Sequence, residues 1–493
     1  MSAEPVADPA LLRAPASAPA LAGPSALPAA VVAGLAAALA AVALHAPALL
    51  ALGLLAPLAA LLTRRDSVVA LFVFVMYLNV PVVMVHAAGL PSALAAAFSM
   101  VLLVPLVRQV VLARRPLVIT PALPLMVLYL AALVIATAVA GEPTGSASAI
   151  VTFIGEGLVL YFLVTNAVRR VETLWIAVWA LLLAGAATGL VSVWQEFTHS
   201  YHTSLAGFAQ VNQIGFGVGQ GLSGPDVRPR LAGPVGEQNQ YARVLLVLIP
   251  LGVWMLRSAP TRRKRLVAGA ATGLILAGML LTFSRGAALA LVLVIASMVA
   301  VGFVRARHVA ALAAALLVLV AVVAPDYVTR IKSLGQTQSA ISSGSGDGAI
   351  RGRAAEGLAA LHVLEAHPIV GVGPDQFFLK YSQRYTNAQD LRFVATDRHA
   401  HNLYLEIGAD SGLLGLGAFL AIVGATLLQL ARAARRLAPS SPQLASLAQA
   451  FALSVGAYMI AGLFLHLAYQ RYFWLLIALA NATAWVLRRR AVQ

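Results

Sequence analysis

His401 is among the side chains in this sequence suited to proton transfer near neutral pH, because the free imidazole titrates closest to 7. It stands in His399-Ala-His401-Asn402-Leu-Tyr-Leu-Glu406-Ile-Gly408-Ala-Asp410-Ser-Gly412, where a hydrophilic segment of 76 residues (325–400) gives way to an apolar run. Glycines at such a junction let the backbone bend or pack closely. A histidine at a helix start is ordinarily a solvated group; what sets His401 apart is its company. His399, Glu237, Glu406 and Asp410 are further acid–base candidates in this chain.

The second chemical signature is arginine. Arg228, Arg230 and Arg243 flank the start of a mid-chain apolar run, Arg351 and Arg353 sit in the long segment, and Arg471 opens the last run. Arg285, in Thr282-Phe-Ser284-Arg285-Gly286, stands between two apolar runs joined by about three residues. Any one of these alone fits an interfacial arginine touching lipid phosphates. Several converging from different runs suit a diphosphate, which a planar, permanently charged guanidinium grips through two hydrogen bonds. No metal or other cofactor is expected. Cysteine is absent, there is no Asp-x-Asp or His-x-x-His spacing, and His399-x-His401 alone is a weak ligand pair. Glu156 is the one carboxylate well inside an apolar run, and reads as a packing partner, a proton site or part of a cavity floor.

The elements that must position these groups are membrane helices. Hydrophobic residues make up 60% of the 493 and charged residues 11%, with a mean hydropathy of +0.87. A soluble domain of this length cannot cover its surface with so little polar material, whereas a bilayer requires repeated apolar runs of about 20 residues. Runs are read at 28–44, 47–62, 67–87, 91–112, 121–140, 149–166, 173–195, 239–256, 266–283, 286–304, 309–324, 408–431, 446–466 and 471–487. The expected fold is an all-α polytopic membrane protein with 12 to 14 transmembrane helices, the lower counts applying if weak runs are re-entrant.

Charge supplies the orientation. Arg64-Arg65, Arg108 with Arg114-Arg115, Arg169-Arg170, Arg257 with Arg262 to Arg265, Arg305 with Arg307, Arg432 with Arg435-Arg436, and Arg488 to Arg490 fall at every second connection. They hold 20 of the 34 lysines and arginines, opposed within those loops only by Asp66 and Glu172. The net charge of +16 is therefore a positive-inside signal with both termini cytoplasmic, and not a nucleic-acid patch, which would concentrate on one domain among aromatics. The organisation expected is a disordered cytoplasmic tail (1–26), a transmembrane bundle (27–195), an extracytoplasmic loop (196–238), central helices (239–324), a large extracytoplasmic loop (325–400) and C-terminal helices (401–493). In the large loop, Leu358, Leu361 and Leu364 at helical spacing within 352–367 predict an amphipathic helix that lies on the outer surface or caps the bundle.

Four stretches resemble the O-antigen ligase and O-antigen polymerase superfamily of bacterial envelope glycosyltransferases. Arg230-Leu-Ala-Gly233 before Asn239-Gln-Tyr-Ala242 resembles its Arg-x-x-Gly and Pro-Asn-x-x-Ala elements, with Gln238 in place of the proline. Ser284-Arg285-Gly286 resembles its Ser-Arg-Gly turn. Arg353 through His367-Pro-Ile-Val-Gly371-Val-Gly373 to Phe377 resembles its loop helix and the turn that ends it. His401-Asn402-x-x-Leu405 through Gly412-Leu-Leu-Gly415 resembles the superfamily's signature.

The resemblance implies a metal-independent enzyme of the inner membrane, its active site facing the periplasm or cell exterior. It would transfer a glycan from a polyprenyl-diphosphate-linked donor to an acceptor with loss of polyprenyl diphosphate. His401 would then be the catalytic histidine, Arg230 and Arg285 would hold the diphosphate, and Arg353 would be a third contact. Asn239 and Asn402 would join the substrate-binding set, with Asn402 also placed to cap the following helix. His399, outside the matched signature, is expected to be dispensable. The partners implied are the lipid-linked glycan donor, a glycan, lipid or protein acceptor, and membrane lipids. Ligase and polymerase both stay open. So does a transporter, although transporters place ionisable sites near the bilayer midplane.

Overall fold

Within hydrocarbon every backbone polar group has to be satisfied inside its own segment, so apolar runs between breakers fold as helices. A computed structural model describes residues 65–89, 91, 98–216, 228–307, 309, 348–388 and 396–490, and eleven of the expected runs form helices there. The runs at 28–44, 47–62 and 309–324 (residue 309 apart) lie outside the described residues, as do the 1–26 tail and 325–347. The chain divides into two units, Met1–Ser67 and Val68–Gln493, and all candidate site residues lie in the second.

The helices are α1 (Arg65–Tyr77), α2 (Val80–Ala88), α3 (Phe98–Val111), α4 (Ala122–Ala138), α5 (Pro143–Ala167) and α6 (Val171–Thr198). They continue as α7 (Gln238–Ser258), α8 (Arg262–Leu280), α9 (Arg285–Ala300), α10 (Gly348–Ala366), α11 (Ser382–Asn387), α12 (Leu403–Leu437), α13 (Pro442–Ala461) and α14 (Gln470–Arg490). The protein is an all-α polytopic membrane protein. Among the described residues, α5, α6, α7, α12 and α13 are long and apolar enough to cross a bilayer, and α1 with α2 make a sixth if that bent pair is one span. Helices α3, α4 and α9 are apolar but shorter, at 10–17 residues. Apolarity alone hides such breaks: α1 and α2 meet at 49° around Asn79, which is left-handed (φ 60°) and donates from Nδ2 to Pro234 O.

Helix α14 runs through the middle. It is apolar on nearly every face, as a helix enclosed by others should be, and Phe473, Trp474, Ile477 and Ala480 are fully buried. Trp474 packs with Phe153, Tyr129 and Phe419, so α4, α5 and α12 gather around it.

Two features differ from the sequence reading. The 196–238 loop carries an antiparallel pair, β1 (Gln210–Phe216) and β2 (Arg228–Gly233), with Asn212 opposite Arg230. The helix expected at 352–367 forms, as α10, but its buried face is Ala355, Ala359, Ala360 and Val363, while Leu358 is 39% exposed. Small side chains bring α10 close to its neighbours, where it packs with Val372, Phe377, Ala400 and Ala409. Of the two placements the sequence left open, a cap on the bundle therefore fits better than a helix lying free on its leucines.

Candidate active site

Arg230, on β2, reaches the Ser-Arg-Gly turn. Its Nε donates to Thr282 O at 3.1 Å, and Nη2 donates to Asn239 Oδ1 at 3.3 Å and Phe283 O at 3.5 Å. Asn239 Oδ1 also accepts from Ser284 Oγ at 2.8 Å, and Asn239 Nδ2 donates to Glu237 Oε1. Glu237 caps α7 by accepting the Asn239 and Gln240 amides, and Ser284 caps α9 by accepting the Ala287 amide. Two capped helix starts and one strand are thus tied through a single amide. Arg285 is the first residue of α9, placed where this network fixes the backbone. Phe283 before it is left-handed (φ 52°), a conformation costly outside glycine and common where function over-determines the backbone.

Arg353 reaches the same turn from α10. A methyl group on Gly286 would lie 3.9 Å from Arg353 Nη1 and 3.2 Å from Phe464 Cβ. One turn further along α10, on the same face, Glu356 is 2% exposed and its Oε2 lies 3.7 Å from His401 Nε2. Helix α10 therefore meets the arginine turn at one point and His401 at the next.

His401 is also left-handed (φ 48°), and Asn402 immediately caps α12 by accepting the Tyr404 and Leu405 amides. Around it stands a stack of rings. His399 lies flat on Phe378 (centroids 4.2 Å apart, 9° between planes) and on His466 (3.7 Å, 5°), while His466 meets His401 edge-on at 5.8 Å. Glu406 holds this arrangement, accepting from Ala400 N at 2.7 Å and pairing with His399 Nδ1 at 2.8 Å. Burial works against the charged form of His399, but the Glu406 carboxylate, helped by Asp375 and Glu356, outweighs it and raises the pKa. His466 goes the other way: burial, then the charges of His399, His401 and Arg243, hold it well below the ordinary value. The two stacked histidines are thus shifted in opposite directions. Fully buried Arg243 anchors the His466 loop, donating to His466 O at 2.9 Å and Ala468 O at 3.3 Å and stacking over Tyr458.

The turn after α10 docks into a break in α12. Gly412 is left-handed within that helix (φ 63°), and a Cβ there would sit 2.2 Å from Ile369 O. The backbone groups released by the break are satisfied across it. Val372 and Gly373 donate to Ala409 O and Asp410 O, and Leu413 and Leu414 donate to Pro368 O and Ile369 O. Asp410 adds side-chain contacts, accepting from Asp375 N and Phe377 N. The glycines at 371, 373 and 412 are thus parts of one docking joint. Residues 270–420, which contain the Ser-Arg-Gly turn, α10, this joint and His401, match the family model described as O-antigen ligase. None of the curated proteins matches the chain.

The match over residues 270–420 supports the O-antigen ligase and polymerase superfamily that the sequence motifs resemble. Of the residues expected in its site, Arg230, Asn239, Arg285 and Arg353 meet at the Ser-Arg-Gly turn. His401 faces the same helix one turn further along, and Asn402 is engaged as a helix cap. Glu156 lies in the π-helical stretch of α5, with Oε1 3.6 Å from Arg471 Nη2. Sequence reasoning missed Glu356 and His466. The first had a signal, its i+3 spacing from Arg353 on a helix whose leucines drew attention to another face. The second stands alone in a loop of apolar and aromatic residues and had none.

His399, Glu406 and His466 present ligand atoms within 4.8 Å of one another, a spacing that a metal ion can bridge. Imidazoles coordinate through lone pairs in the ring plane, however, and these two rings lie parallel 3.7 Å apart. One ion cannot lie in both planes, so this donor set fits a stacked hydrogen-bonded pair and not a metal centre.

Proposed function

We propose that the protein transfers a glycan from a polyprenyl-diphosphate donor to an acceptor hydroxyl, without metal, at the outer face of the inner membrane. The observation that carries this reading is the path of α10, which brings Arg353 to the Ser284–Gly286 turn and, one turn on, Glu356 to His401. Arg285, Arg353 and Arg230 bind the donor diphosphate, Arg230 also by fixing the turn. His401 takes the acceptor's proton as the acceptor oxygen bonds to the anomeric carbon. The bond from that carbon to the diphosphate oxygen breaks, and polyprenyl diphosphate leaves with the electron pair. Ligase and polymerase share these steps and differ in the acceptor.

Purified protein in vesicles, given a synthetic polyprenyl-diphosphate oligosaccharide and EDTA, tests the reading. Transfer is expected to proceed in chelator, and Arg285→Ala to lose about 1.5–3 kcal/mol of donor interaction, the worth of a charge-assisted hydrogen bond. Arg285→Lys, which keeps the charge but not the planar fork, is expected to fall between. Wild-type transfer and donor affinity in a correctly inserted Arg285→Ala protein would remove the diphosphate from this turn.

A further inference from the structure

His401 needs something to stabilise the imidazolium it becomes on accepting a proton. The charged and titratable groups around it come from several elements. On its own segment lies His399; from α12 comes Glu406; the loop before α14 contributes His466, with Arg243 behind it; and α10 carries Arg353 and Glu356. His399, His466 and the arginines are neutral or cationic, and none stabilises a new positive charge. Glu406 is engaged, both its oxygens spoken for by His399 Nδ1 and Ala400 N. Asp375 acts on His399, and Glu356 Oε2 lies beside the His401 ring itself, 3.7 Å from Nε2.

Its setting makes this contact strong. Glu356 is 2% exposed, so little water screens it, and an opposite charge within about 4–6 Å favours the ionised form of its neighbour. The separation exceeds hydrogen-bonding range, so the carboxylate acts through its charge. His401 itself has a left-handed backbone, φ 48°.

We propose that Glu356 is the positioning carboxylate of this site, orienting His401 and stabilising the imidazolium formed when the acceptor hydroxyl is deprotonated. This inference rests on His401 being the base. It assigns to α10 a second task beside carrying Arg353, so that one helix aligns the donor contact and the proton acceptor.

The test is the pH dependence of transfer by vesicle-reconstituted protein, comparing wild type with Glu356→Gln and Glu356→Asp. Glu356→Gln, nearly isosteric, is expected to lower kcat about 10- to 100-fold with the KM for donor little changed. Without the carboxylate the imidazolium forms less readily, so the acid limb of the kcat profile moves to lower pH, by about one unit. Glu356→Asp, which keeps the charge, is expected to recover part of kcat and to return the limb toward wild type. A Glu356→Gln protein with wild-type kcat and an unmoved acid limb overturns the proposal. So does one whose kcat falls with the limb unmoved and with no recovery in Glu356→Asp, because that is the signature of a structural role. If His401→Ala is inactive while either result is seen, only the role of Glu356 is lost. If His401→Ala is fully active, the base assignment falls and this proposal with it.

Discussion

Glu406 closes a short clasp: placed in the first turn of α12, it reaches back to the segment that precedes the helix and fixes His399 and Ala400. Sequence reasoning treats His399 as dispensable because it lies outside the matched signature, but the stack with Phe378 and His466 gives it a fixed place. The pairing has a defined pH dependence. A histidine whose folded-state pKa is raised stabilises the fold fully below its unfolded pKa of about 6.5, and that contribution is lost as pH rises through the folded value. Thermal unfolding of wild type in detergent is therefore expected to show a decline in Tm across that window, and His399→Gln to lack it. A Tm profile identical in the two proteins would mean that the clasp contributes nothing. At this scale Arg230, Arg285, Arg353 and His401 were legible as candidates because they stand in recognisable motifs, and the three arginines gather at one turn. Glu356 was not, because a charged residue on a helix is ordinarily solvated, and nothing in the linear pattern says which face is covered.

The same limit explains α10 as an element. Three leucines at helical spacing predicted its apolar face, while the face that packs is built of alanines and a valine, whose hydrophobicity is weak and whose size permits close approach. The joint between α10 and α12 was legible only as glycines. Their meaning is geometric: Gly412 needs a left-handed backbone and leaves room for Ile369 O at the point where the helix opens. Gly412→Ala is expected to cost more than the roughly 1–3 kcal/mol of left-handed strain, because the added carbon also meets backbone that cannot move aside. The measurement is thermal stability of the purified variant beside Gly417→Ala, a glycine with open space around its Cβ position. Equal stability of the two variants would show that the break in α12 is not needed.

For the whole molecule, composition alone indicated a polytopic helical membrane protein, and the helices lie where the apolar runs were read. Broken and short helices were not legible, because hydropathy averages over a bend such as that at Asn79. The charge alternation makes a topological prediction. Reporters fused after Arg170, Lys264 and Arg436 are expected to read cytoplasm, and those within 203–209 or at 335–347 the opposite side. A cytoplasmic reading for either of the latter pair would place the arginine turn and His401 on the wrong face for a lipid-linked donor exported across the membrane.

If His401 moves the proton while the arginines bind the donor, the two functions separate in one mutant. Single-turnover transfer in reconstituted vesicles, with donor binding measured on the same preparations, reads both. His401→Ala is expected to bind donor as wild type does and to transfer glycan about 10²- to 10⁴-fold more slowly. Transfer at the wild-type rate by a properly inserted His401→Ala protein would mean that another group takes the acceptor's proton.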